Sequence, residues 1–259
     1  MIYGAGGGVR VEERKYPRIL TAGDGCVVAE FGDSIDMEIN TRAAALGSDV
    51  MRLGFPGVLD AVPTYRSLAV YFDPVTTDVK RLYSKLGELC RKEESAAGHE
   101  KRRTIVVPTL YGEEWGPDLG DVAKHTGFSP EEVVKRHSGL DCYCFMLGFT
   151  PGFPYLGGMD PALETPRLKN PREVIPAGAV AIGGKQTGIY SIASPGGWRL
   201  IGRTPMRLFD PDREPPIFLE AGMWIRFRPI EKPEFDEIEA ASEKGSYRPV
   251  ILEEEEASS

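Results

Sequence analysis

The sequence predicts an α+β protein in two parts: a small sheet carrying two helices and, past a charged linker, a compact β-barrel. Three observations predict it. Apolar residues alternate, then recur at helical spacing, through the first part of the chain. Residues 91–103 form a charged stretch nearly free of large apolar side chains. From Gly148 to Pro205, 58 residues contain 11 Gly and 8 Pro, yet Phe149, Phe153, Tyr155, Tyr190, Trp198 and many aliphatic residues are threaded through them. A disordered Pro/Gly segment lacks that apolar content, because it has too little burial to offset its ordering entropy. Glycine supplies positive φ and proline presets φ at about −65°, so the mixture reads as short strands joined by tight turns.

The elements follow in order. CVVAEF (26–31) is a strand, and Ile39, Ala43, Leu46 and Val50 then recur every three or four positions, an amphipathic helix. GVLDAVPT and YRSLAVYF are two strands, the second aligning Leu68, Val70 and Phe72 on one face before Asp73-Pro74 ends it. Val79, Leu82, Leu86 and Leu89 mark a second helix that runs into the polar stretch RKEESAAGHEKRR. A small sheet with both helices on one side is ferredoxin-like in outline, a pattern that by itself says nothing about activity. Past the linker, TIVVPTLYG is a strand, and two short helices follow at Asp118–Lys124 and Pro130–His137. The second opens on Ser129-Pro130-Glu131-Glu132, a capping box with Pro at the first helical position. Strands and turns dominate from Leu140 to Arg228, EKPEFDEIEAASEKG reads as a short helix, and LEEEEASS as a like-charge, disordered tail. The expected boundaries are a loose leader at 1–23, the ferredoxin-like domain at 24–98, the barrel at 99–230 and a C-terminal extension at 231–259.

Composition excludes several function classes. A chain of 259 residues, 41% hydrophobic and 27% charged, can bury one large or two modest cores. No stretch approaches the ~20 apolar residues a membrane helix needs. The N-terminal run lacks the apolar core of a secretory signal, so a cytoplasmic protein is expected. A net charge of −8 with no basic stripe argues against nucleic acid as the main partner. Four cysteines make no disulfide framework in a chain of this size, and Cys142 and Cys144 read as small buried hydrophobes on one strand face. His99, His125 and His137 are too scattered for a metal site.

AVAIGGKQTGIY nearly spells a phosphate-binding loop but fails, since Ala179 stands where the first glycine belongs and Gln186 where Ser or Thr would hold magnesium. It reads better as strand, Gly-Gly turn, strand. There is no nucleophile elbow, and nothing beside Ser191 or Ser194 makes either a nucleophile. What remains is a polar set on the rims of Gly/Pro turns. Gln186 has donors and an acceptor, and Tyr190 lies four residues on, so that one strand can present both. Arg203 suits a carboxylate or phosphate clamp, and His137 closes a helix whose dipole favours imidazolium. Trp198 after Pro195-Gly196-Gly197, Tyr155, and the turn Pro151-Gly152-Phe153 would shape a pocket mouth. Each has a structural alternative: Trp198 and Phe153 as core anchors, Tyr190 as a half-buried strand residue, Arg203 in an ion pair.

GF-x-PGF-x-YL, GGKQTGIY and SPGGWRLIGRTP resemble the signature blocks of the allophanate hydrolase subunit 1 family, and the resemblance runs roughly from Cys26 to Pro229. That family includes the kinase inhibitor KipI, the B component of bacterial 5-oxoprolinase (PxpB-like) and a segment of urea carboxylase. The resemblance implies a cyclophilin-like barrel and places His137 at the family's spacing from Tyr143. It implies one component of an ATP-dependent 5-oxoprolinase, cleaving the lactam 5-oxo-L-proline to L-glutamate, with ATP as a co-substrate of the complex rather than of this chain alone. The implied roles are anion clamp for Arg203, hydrogen-bonding amide for Gln186 and general base for His137. Implied partners are a subunit-2 homologue (KipA-like or PxpC-like) and a LamB/YcsF-like (PxpA-like) protein. Two alternatives stay open: a KipI-like inhibitor of a sensor histidine kinase, and a carboxyltransferase piece of urea metabolism.

Overall fold

A computed structural model describes residues 15–93 and 102–254. They fall into two compact units, one within Met1–Val62 and Arg66–Ser95, the other comprising Pro63–Tyr65 and Ala96–Ser259. Most of the charged stretch 91–103 lies outside the described residues, as do the first 14 positions and those after Glu254.

In the first unit, β1 (Arg18–Thr21), β2 (Cys26–Glu30), β3 (Val58–Pro63) and β4 (Ser67–Phe72) form one sheet in the order β1-β2-β4-β3. Helices α1 (Met37–Leu53) and α2 (Val79–Glu93) pack on it, so that Ala43, Leu46 and Val50 meet Leu68, Val70, Leu82, Leu86 and Leu89 in a single core. Asp36 starts α1, its carboxylate accepting from the Glu38 and Ile39 amides, and Gly54 ends it at φ 58°. The stretch expected to be a loose leader therefore carries β1, whose Ile19 and Thr21 pair opposite Ala29 and Val27 of β2. Four residues, two of them β-branched, are too short to stand out as a strand in sequence, and only the partner strand shows them.

The second unit is built around β5 (Arg102–Tyr111). Its other strands are β6 (Cys142–Leu147), β7 (Pro154–Gly157), β9 (Ala179–Gly183), β10 (Gln186–Ile189), β12 (Arg199–Arg203), β13 (Trp224–Pro229) and β14 (Ile251–Glu254). They run in the order β10-β9-β12-β5-β13-β6-β7, with β14 added to β5, and β10 comes back beside β7, so the sheet is nearly closed. Short strands β8 (Arg172–Ile175) and β11 (Ser194–Gly196) pair separately. Helices α3 (Leu119–Thr126) and α4 (Pro130–Ser138) contribute Val122, Ala123 and Val133 to the barrel core. The Ser129 hydroxyl caps α4 by accepting from the Glu132 amide at 3.2 Å. Helix α5 (Lys232–Glu243) buries Phe235 fully.

The C-terminal tail corrects a second expectation. Of the run LEEEEASS expected to be disordered, Leu252–Glu254 belongs to β14, antiparallel to β5 with Glu253 opposite Arg103 in register, and the remainder lies outside the described residues. All four cysteines are buried thiols outside any disulfide, and burial pushes Cys142 and Cys144 up to about 12.

Candidate functional site

The hairpin β9–β10 is a wall with two faces. Val180, Ile182 and Ile189 enter the barrel core, whereas Ala179, Ala181 and Tyr190 face the opposite way into a second, aromatic cluster. Alternation along β10 puts Gln186 and Gly188 on that aromatic side, with Thr187 turned inward. One strand thus presents Gln186 and, just past its end, Tyr190.

Phe153 is the hub of the cluster. Its ring lies 5.4 Å from Tyr155, 5.3 Å from Tyr190, 5.7 Å from Trp198 and 5.7 Å from Phe149, each edge to face. The glycines beneath it make room for rings. A Cβ at Gly183 would come within 2.5 Å of the Trp198 indole, and one at Gly188 within 3.0 Å. At Gly196 the space is taken by the Tyr190 hydroxyl. Trp198 is only 6% exposed, and Phe153 and Tyr190 less, so these three are the anchors of the barrel's outer core rather than an open pocket wall. Gly152 is buried at φ 75°, Pro151 is exposed with its carbonyl accepting from Ser191 at 2.6 Å, and the Gly197 carbonyl accepts from the Leu168 amide.

The accessible polar edge is Gln186. Its Nε2 donates to the Tyr65 hydroxyl, and Tyr65 packs on Phe145 at 5.3 Å and Tyr155 at 6.0 Å. Burial raises the Tyr65 phenol above its ordinary value, so it stays protonated and able to donate. Tyr190 is raised for the same reason, against an opposing hydrogen bond from the Trp198 amide. Tyr65, Phe145 and Arg167, whose guanidinium lies over Trp198 at 5.4 Å, carry no signal in the sequence that marks them for this site. Tyr65 is 121 residues from Gln186 and sits in no periodic pattern that singles it out.

His137 is not on the rim. It is 2% exposed, on α4 inside the barrel, where Nδ1 meets the Tyr111 hydroxyl at 2.8 Å and Nε2 meets Thr187 Oγ1 at 2.7 Å. Thr187 donates its own proton to the Ala181 carbonyl, so it accepts from Nε2–H, and Nδ1 accepts from Tyr111. Burial lowers the imidazole from 6.5 to about 3, a difference of roughly 5 kcal/mol. The helix dipole that favours imidazolium is worth at most about 2 kcal/mol, so dehydration wins and the ring is neutral. With both nitrogens occupied, it has no lone pair to offer a substrate.

Arg203 lies elsewhere too. It pairs in register with Ala179, while Gln186 pairs with Gly183, so the two are about 13 Å apart along β9. Its Nε donates to the Ala177 carbonyl at 3.0 Å, and the guanidinium lies over Trp115 and Phe235 with Glu239 at 3.7 Å. Arg203 ties α5 to the barrel. Arg203→Lys is therefore expected to lower the melting temperature by about 2–5 °C, through loss of one hydrogen bond and the planar stack. Activity per folded molecule should be unchanged, and a selective loss of turnover at normal stability would return Arg203 to the site.

Among the described residues no group of His, Cys, Asp and Glu could hold a metal ion, and no helix is long and apolar enough to cross a membrane. A nearly closed mixed sheet with a filled aromatic outer face defines a barrel-type domain, and its relatives say of which kind. The chain belongs to the carboxyltransferase-domain family, subdomains C and D, which it matches over residues 17–219. It is 37% identical over 232 residues to the B component of 5-oxoprolinase from Bacillus subtilis (strain 168), spanning 84% of this chain and 95% of that protein. It is 39% identical over 214 residues to the B component of 5-oxoprolinase from Escherichia coli O157:H7, spanning 82% of this chain and 95% of that one. The solved structure of the protein TTHA0988 superposes with a TM-score of 0.72 at 40% identity, over 80% of this chain, which spans only 40% of that longer chain. The resemblance drawn from the Gly/Pro motifs therefore holds.

Proposed function

We propose that this chain is the B component of an ATP-dependent 5-oxoprolinase, which opens 5-oxo-L-proline to L-glutamate. The observation that carries this reading is the match, over 95% of their length, to proteins named as that component. A lactam carbonyl is a poor electrophile. Phosphorylation of its oxygen lets one water add to the ring carbon; the C–N bond then breaks, the nitrogen taking up a proton, and a second water cleaves the resulting acyl phosphate to carboxylate and phosphate. In this reading ATP is held by the partners, a subunit-2 homologue (KipA-like or PxpC-like) and a LamB/YcsF-like (PxpA-like) protein. The first unit is read as a ferredoxin-like fold in which β1 takes an edge position, and the barrel as cyclophilin-like.

Gln186 is the residue assigned to the substrate. A lactam holds its N–H and C=O on the same side of the ring, and a primary amide offers C=O and N–H in the matching order. One Nε2 proton goes to Tyr65, while the second and Oε1 have no partner among the described residues. Tyr155 packs edge-on against that Tyr65 ring at 6.0 Å. The family's description as a carboxyltransferase favours a second reading, transfer of a carboxyl group to an amide, for which the same amide contact would serve.

Co-expression with both partner homologues is expected to give 5-oxoproline-dependent ATP hydrolysis with glutamate formed in step, and the isolated chain to give neither. ATP hydrolysis by the chain alone would overturn the division of labour. An assembled complex that leaves 5-oxoproline intact but carboxylates an amide would replace the first reading by the second.

A further inference from the structure

Arg167 is exposed, on the segment between β7 and β8, and its backbone is pinned to the candidate site on both sides. Thr165 and Gly184 exchange backbone hydrogen bonds of 3.2 and 2.8 Å, which ties the segment to the tip of the β9–β10 hairpin, two residues before Gln186. The Leu168 amide donates to the Gly197 carbonyl at 2.6 Å, beside Trp198, and Arg199 Nε donates to the Pro166 carbonyl at 3.3 Å. Three indole atoms of Trp198 stand 2.5, 2.5 and 2.7 Å from a Cβ built on Gly183, and a fourth 3.0 Å from one built on Gly188, so the ring lies flat across both glycines. Gly183 is the register partner of Gln186, and Gly188 follows Gln186 on the same face of β10. Indole and amide are therefore neighbours on one face, and the Arg167 guanidinium sits over that indole at 5.4 Å. Other arginines around the cluster are occupied. Arg172 donates to Asp118 at 2.9 and 2.8 Å, Arg199 to Asp121 at 2.8 Å and Arg203 to the Ala177 carbonyl. The Arg167 N–H groups have no acceptor among the described residues.

We propose that Arg167 binds the carboxylate of 5-oxo-L-proline while Gln186 meets its lactam edge. The proposal rests on the 5-oxoprolinase reading above. At neutral pH the carboxylate is the only charge on this substrate, and it stands on the ring carbon next to the N–H. A lactam edge paired with the Gln186 amide thus carries its carboxylate alongside, one bond beyond the nitrogen. A guanidinium offers paired donors in one plane, which match the two oxygens of a carboxylate, and stacking on an aromatic face holds that plane while leaving its N–H edge open. A chain of net charge −8 needs a placed cation to admit an anion, and here the cation rests on the ring beside the amide.

The test compares the complex assembled with both partner homologues, unsubstituted and with Arg167→Gln or Arg167→Lys. Glutamine should raise KM for 5-oxo-L-proline by about 10- to 100-fold with kcat less affected, the range that charge-assisted hydrogen bonds give. Lysine keeps the charge without the planar fork and should fall between. Inhibition by 2-pyrrolidone, the same lactam without the carboxylate, should be equal in all three. The melting temperature should drop by about 4 °C at most, as expected for one exposed cation on an aromatic face. An unchanged KM overturns the inference and leaves the 5-oxoprolinase reading intact. So does equal weakening of 5-oxo-L-proline and 2-pyrrolidone, which would mark a distorted site rather than a lost carboxylate contact. Lys185, exposed beside Gln186, is a second cation at this edge, and a rise in KM found with Lys185→Gln in place of Arg167→Gln also overturns it. An unsubstituted complex that leaves 5-oxo-L-proline intact would instead overturn the reading on which the proposal rests.

Discussion

His137→Gln is expected to lower stability at pH 7 and to flatten the loss of stability on acidification. In the folded chain burial holds the imidazole at about 3, against 6.5 when unfolded. Between those values the unfolded state binds one more proton than the folded state. The contribution is therefore complete above about pH 6.5 and declines as pH falls, by up to about 1.4 kcal/mol per pH unit, with a total on the order of 4–5 kcal/mol at pH 3. Glutamine does not titrate and removes this slope. Other groups contribute to acid unfolding, among them Asp141, whose carboxyl is held low by Arg226 and Arg102, but they are common to both proteins and cancel in the difference. At pH 7 the variant should lose about 1–3 kcal/mol, because a single amide does not reach both Tyr111 and Thr187 and one of the two hydrogen bonds made by the buried imidazole is lost. Urea titrations from pH 7.5 to 4 on both proteins measure the two effects. Parallel pH profiles would show that His137 titrates in contact with water.

Gln186→Leu should have the largest effect on activity. If the amide pairs with both polar groups of a lactam, leucine of similar length removes two hydrogen bonds and leaves the substrate's N–H and C=O facing an apolar side chain. Together these are worth roughly 2–4 kcal/mol, so kcat/KM of the assembled complex should fall by about two decades. Complex formation and melting temperature should hardly move, because Gln186 is half-buried and its one protein partner among the described residues is the hydroxyl of Tyr65. Gln186→Glu separates shape from hydrogen-bond polarity. A carboxylate keeps the acceptor for the lactam N–H but offers no donor to the carbonyl, and an intermediate loss is expected. Full activity of Gln186→Leu in an intact complex would remove this residue from the site.

Where the fold depends on neighbours in the chain, it was legible. The run Ile39, Ala43, Leu46, Val50 predicted α1 and its inner face, and Ser129 with Glu132 predicted how α4 begins. The density of Gly and Pro among apolar residues predicted tight strands, and the motifs were long enough to show the family. The candidate site was legible only in part. Phe153, Tyr155, Tyr190 and Trp198 were expected together and do cluster, but as filled core. Gln186 was expected at an accessible edge and lies half-buried at one.

By itself, then, the sequence determined the periodicities, the turns and the family, because each is written within a few residues of where it acts. Tertiary structure alone decided which polar side chains keep water. His137 and Gln186 differ little as sequence: each is a polar residue beside an apolar stretch. Alternation on β10 sends Thr187 inward to meet His137 in the barrel and leaves Gln186 on the opposite face, with Tyr65 from 121 residues away. The same distant pairing makes a strand of Ile251–Glu254, because its backbone partner β5 lies far away along the chain. Burial and charge pairing are sums over neighbours in space, and no window along the chain contains those neighbours.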